Sequence, residues 1–140
     1  MIRTSKMMLL ALVVLLPATV LMADDLTGAE TILCSSAQVT ICYTSGECEN
    51  APPWDLNIPD FVEIDLSKKL LRTTLASGEN RSTPIKNLER EEGLLAMQGF
   101  EGGRAFSFVV NEKTGRLSVS VAREGISVTV FGSCTPIPSR

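Results

Sequence analysis

Chemistry in this chain must come from carboxylates, hydroxyls, cysteines and guanidinium groups, because its 140 residues include no histidine. Without imidazole, Ser–His and Cys–His nucleophiles are excluded, and so are histidine-ligated zinc sites. The nearest thing to an acid–base pair is Glu63 and Asp65, which fall on one face of a strand. Val62, Ile64 and Leu66 alternate with them and are all aliphatic, so an outward polar face is the expectation for both acids. Asp55, Asn57 and Asp60 offer oxygens within one short segment, but they lack the spacing and the terminal glutamate of a calcium loop. Turn and cap roles are expected for them instead. Gly99-Phe100-Glu101-Gly102-Gly103 is not a G-x-G-x-x-G phosphate loop and reads as a glycine-rich hairpin. Asn80-Arg81-Ser82 has the form of a glycosylation sequon, which matters only in a eukaryotic secretory pathway. No catalytic constellation, metal site or cofactor motif emerges, and the chain is not expected to be an enzyme.

Three residues stand out as candidate contacts with a partner. Trp54 lies between Pro53 and Asp55 in an irregular segment, where it either packs over the end of a barrel or anchors a partner. Gln98 and Arg104 flank the glycine hairpin and complete the set.

The four cysteines are Cys34, Cys42, Cys48 and Cys134. Their spacing fits no zinc pattern and contains no C-x-x-C pair, so two disulfides formed in an oxidising compartment are expected. Thr44-Ser45-Gly46-Glu47 has turn composition and makes a Cys42–Cys48 staple easy, leaving Cys34 for Cys134. Cys34–Cys42 with Cys48–Cys134 is the alternative pairing.

The N-terminus agrees with export. Arg3 and Lys6 precede an unbroken apolar run over residues 7–16, then Pro17 and small residues lead up to Ala23. This is the pattern of a secretory signal peptide cleaved after Ala23. An uncleaved anchor is the rival reading, but residues 7–23 are at the short end for a bilayer span, and Asp24-Asp25 follow at once. The expected organisation is a signal peptide over 1–23, a lead-in over 24–33, one domain over 34–135 and a tail over 136–140. The full chain carries 13 Lys and Arg against 16 Asp and Glu, and loss of the leader makes it more acidic. Such a balance, with cations scattered, offers no nucleic-acid surface and no polybasic patch for anionic lipid.

The elements that must position these residues read as strands. Alternation of apolar and polar residues recurs at Gln38–Thr44, Phe61–Leu66, Lys69–Leu75, Thr83–Glu89 and Leu94–Gln98. It is clearest over Arg104–Asn111, Arg116–Val121 and from Ile126 onward. The three prolines between Asn50 and Pro59 keep that stretch irregular. The links are too short for crossover helices, so the fold expected is all-β: an antiparallel meander of seven or eight strands closing into an up-and-down barrel. An open, strongly curved sheet is the alternative.

Cys34-x7-Cys42-x5-Cys48, Leu56-Asn57-Ile58-Pro59 and Ile64-Asp65-Leu66 open a longer pattern. It continues through Gln98-Gly99, Gly103-Arg104-Ala105-Phe106-Ser107, Thr114-Gly115 and Phe131-Gly132-Ser133-Cys134-Thr135. In these residues the chain resembles an uncharacterised family of small exported proteobacterial proteins with four cysteines. The resemblance implies a periplasmic or secreted setting and carries no activity. The role expected is a binding module for a small apolar ligand or a protein. The alternative is an envelope protein inhibitor or interaction factor acting through its loops. A hollow interior favours the small ligand, and a filled one with an exposed Trp54 favours the loops.

Overall fold

The computed structural model describes residues 24–138, so the expected signal peptide lies outside the described residues. The longest strand, β1 (Thr31–Tyr43), begins earlier than alternation alone suggested. Its inward residues change parity on the way: Ile32 and Cys34 are buried before Ala37, and Val39 and Ile41 after it. A β-bulge between Ser36 and Gln38 accounts for this, since one extra residue shifts the side-chain period and keeps both halves facing in.

The strands that follow are β2 (Cys48–Asn50), β3 (Phe61–Asp65), β4 (Leu70–Thr73), β5 (Ser82–Pro84) and β6 (Asn87–Glu91). After them come β7 (Leu94–Glu101), β8 (Arg104–Asn111), β9 (Arg116–Arg123) and β10 (Ile126–Pro136). The described residues thus hold ten strands where seven or eight were expected. The difference has two sources. All three residues of β2 are exposed and carry no alternation. The stretch read as one strand over Thr83–Glu89 is two, because the chain leaves one sheet edge and joins the other between them.

The strands form a single antiparallel sheet in the order β5-β4-β3-β1-β10-β9-β8-β7-β6, with β2 also paired to β1. It curls as a half-barrel, and the open curved sheet describes it equally well. First and last strands pair at its centre, where Cys34 stands opposite Cys134. These two are bonded, as are Cys42 and Cys48, which face each other across β1 and β2. Two disulfides indicate a setting outside the reducing cytoplasm. No helix among the described residues is long and apolar enough to cross a membrane.

Chain continuity joins the two sheet edges. At the corner after β5, the Ile85 N–H donates to the Lys69 carbonyl beside β4, and the Lys86 N–H donates to Gln98 in β7. The core lies within the curl. At the end where β1 starts, Leu26, Ile32, Ile64, Leu95, Met97 and Val110 are at most 2% exposed and fill the interior. Leu26 reaches this position from the lead-in, its N–H held by the Glu112 carbonyl.

Candidate binding cavity

Inward columns on three adjacent strands run from apolar to charged. On β7 the inward residues are Leu95, Met97, Gly99 and then Glu101. On β8, read in the opposite direction, they are Val110, Phe108, Phe106 and Arg104; on β9 they are Leu117, Val119, Val121 and Arg123. Because the strands are antiparallel and in register, the three charged residues arrive at the same end of the curl. Arg81, just ahead of β5, joins them there.

Between this charged end and the filled end is a cavity of about 220 Å³. Phe106, Phe108, Val119, Val128, Val130 and Leu71 line it. Phe106 and Phe108 meet edge to face with ring centroids 5.6 Å apart. Gly99 makes room for the first of them: a Cβ there would lie 2.5 Å from Phe106 Cζ and 3.0 Å from the Pro84 carbonyl oxygen. The glycine segment is therefore strand through Glu101, and only Gly102 and Gly103 form the turn.

One wall is irregular chain. The prolines before β3 give a short 3-10 helix, Pro53–Leu56, ended by Asn57 in the left-handed region at φ 54°. The Asn57 N–H donates to the Trp54 carbonyl at 3.3 Å and the Ile58 N–H to Pro53 at 3.0 Å. This fixes Leu56, Ile58 and Pro59 against the cavity. Trp54 points away from it and is 70% exposed, so the packing over a barrel end is done by its aliphatic neighbours instead.

At the rim, Arg81 Nη2 lies 3.2 Å from Glu101 Oε2 and 3.3 Å from Oε1. Arg81 Nη1 donates to the Asn57 carbonyl at 3.2 Å and stands 3.9 Å from Glu79. Arg104 Nη2 shares the Glu101 carboxylate at 3.7 Å. Arg123 lines the cavity, is exposed to water and has no ion pair among the described residues. Of the three candidate partner contacts, Arg104 alone belongs to this site. Gln98 is on the outer face, opposite Ser107, and Trp54 is separate from both. From the sequence Arg81 reads only as part of a sequon, Glu101 only as part of a glycine hairpin and Arg123 not at all, although each ends or adjoins an inward alternation.

The Glu63–Asp65 pair is on the expected face, opposite that of Ile64, but is buried there rather than solvated. Both residues are 5% exposed. The reason is a charged partner across the ladder: Arg72 Nη2 lies 2.6 Å from Glu63 and 3.8 Å from Asp65. Asp65 Oδ1 also accepts from the Ser67 hydroxyl and the Lys68 N–H, each at 2.8 Å. Burial pushes the Asp65 carboxyl up. The Lys68 N–H, the Ser67 hydroxyl and the charges of Lys68 and Arg72 together outweigh it and hold the pKa below its ordinary 3.8. A carboxylate depressed in the folded state contributes stability above its unfolded pKa, and loses it as pH falls through the folded value. Asp65→Asn is expected to lower stability at neutral pH and flatten its decline in acid. Urea midpoints measured from neutral pH down through the carboxylate range check this; parallel curves for variant and wild type would contradict it.

Asp55, Asn57 and Asp60 have local roles. Asp55 is in the first turn of the 3-10 helix, Asn57 caps it, and the Asp60 carbonyl accepts from the Ser36 N–H at 3.0 Å. Among the described residues no group of three His, Cys, Asp or Glu side chains is placed to hold a metal. No protein-family model matches the chain, and no curated protein is significantly similar to it.

Proposed function

We propose that this protein is a non-enzymatic binding module that holds a small apolar ligand inside its curled sheet. The cavity carries the reading. At about 220 Å³ it exceeds the ~150 Å³ of an engineered apolar cavity that takes up benzene, and most of its lining is hydrocarbon. A domain this small gains stability from filling its interior, so a cavity of this size runs against packing alone. The two disulfides support an oxidising compartment. The apolar N-terminal run and the resemblance to small exported proteobacterial proteins support a periplasmic or secreted location.

Titration with the neutral fluorescent probe N-phenyl-1-naphthylamine is the test. Saturable one-to-one uptake is expected, and Val119→Phe, which fills the cavity from β9, is expected to weaken it at least about tenfold with the fold retained by near-ultraviolet circular dichroism. Absence of saturable uptake by the wild-type protein overturns the reading.

The exposed Trp54 favours a second reading, in which the protein inhibits or joins an envelope partner through its loops. Trp54 is the single tryptophan, so labelling this protein with 5-fluorotryptophan gives one fluorine resonance that reports docking. A shift or broadening of that resonance on adding an unlabelled envelope protein fraction is expected under this reading and not under the first.

A further inference from the structure

We propose that the cavity takes a straight-chain aliphatic carboxylate, with its tail against the filled end and its head among Arg81, Arg104 and Arg123. This rests on the apolar-ligand reading and adds the charge and polarity of the ligand to it.

The argument starts from the two ends of the cavity. Away from the rim the lining is apolar, with Leu71, Phe106, Phe108, Leu117 and Val130 packed into the same cluster as the fully buried Leu26, Ile32 and Met97. Arg81, Glu101, Arg104 and Arg123 gather at the other end, so a ligand that matches both must itself be apolar at one end and polar at the other. The sign of its polar end follows from the rim. Three guanidinium groups, on Arg81, Arg104 and Arg123, face one lining carboxylate, Glu101. Glu101 is shared by Arg81 at 3.2 Å and Arg104 at 3.7 Å. Among the described residues the other carboxylate ion-paired at the rim is Glu79, 3.9 Å from Arg81 and outside the lining. Arg123 has neither. A fourth arginine on the lining, Arg72, is occupied by Glu63 and Asp65.

The rim therefore has donors in excess. A carboxylate satisfies them in the fork geometry that guanidinium prefers, an alcohol satisfies them less well, and a cation is repelled. The volume admits one aliphatic chain of medium length. The cavity is about 220 Å³, below the ~300–1,000 Å³ typical of pockets for drug-sized ligands.

Isothermal calorimetry with decanoate, decanol and decyltrimethylammonium tests the assignment. Decanoate is expected to bind at least about tenfold more tightly than decanol, the weight of a charge-assisted hydrogen bond over a neutral one, with the ammonium weakest. Arg123→Gln changes an exposed side chain without an ion pair, so the fold should survive it. It is expected to weaken decanoate severalfold and leave decanol unchanged, and Arg104→Gln is expected to do the same. Equal saturable binding of decanoate and decanol overturns the charged-head inference while leaving the apolar-ligand reading in place. So does an arginine variant that weakens both equally or neither. Failure of all three to bind overturns both.

Discussion

With Cys34→Ala and Cys134→Ala combined, the protein is expected to lose about 4–5 kcal/mol of stability, roughly twice the loss from Cys42→Ala with Cys48→Ala. Both bonds join residues directly opposite each other on antiparallel strands, so their local settings are alike. They differ in the chain they enclose: the sequence separation is 100 residues for one and 6 for the other. In the chain-entropy relation the long loop is worth about 4.7 kcal/mol and the short one about 2 kcal/mol. Burial adds to the contrast. Cys34 and Cys134 sit in the core beside the cavity, and truncating them enlarges a space that is already unfilled, whereas Cys48 is exposed. Urea unfolding of the two double variants, with both slope and midpoint compared, measures the difference. Equal losses from the two pairs would show that loop closure is not what the long bond contributes.

Gly132→Ala is expected to cost about 3 kcal/mol or more, at the upper end for overpacking. Gly132 lies opposite Ser36 at the bulge, and the Ser35 carbonyl oxygen occupies the space a Cβ would need. Backbone lies on both sides of this contact, so neither partner can rotate away. Gly99 offers the comparison, because the obstacle nearest to it is the ring of Phe106, a side chain that has some freedom to move. Gly99→Ala should therefore be the milder of the two. Thermal midpoints and soluble yields of both variants test the ranking. A Gly132→Ala protein that melts with the wild type would mean that β1 and β10 separate there without penalty.

Alternation made the sheet legible in sequence wherever one face of a strand is buried and the other wet. Arg104–Asn111 is the clearest case, and the strand read there coincides with β8. β2 and β6 were beyond that method for one physical reason: nearly all their residues are exposed, so ladder hydrogen bonds hold them and no burial pattern marks them. Glu63 and Asp65 misled for another. Their burial depends on Arg72, nine positions on from Glu63, and on a register between β3 and β4 that spacing within a single strand does not show. The rim was half visible. Phe108, Phe106 and Arg104 already spell the change from apolar to charged, as do Val119, Val121 and Arg123. What could not be read was that both columns, with Glu101, end at one mouth, because that takes the pairing of three strands.

The passage of the chain from β5 to β6 limits how this protein can meet others. The strand order of this curled sheet ends at two borders, and the three-residue β2 adds a further short edge, each a row of unpaired amides that could template a foreign strand. Here one border is the three-residue β5, which includes Pro84. The other is β6, whose sequence Asn87-Leu88-Glu89-Arg90-Glu91 is mostly charged. A short border with a proline and a charged one both discourage strand addition, so the protein should resist stacking into fibrils through its sheet. A macromolecular partner that docks would then meet a loop, the charged mouth or the outer face of the sheet rather than extend one of its borders.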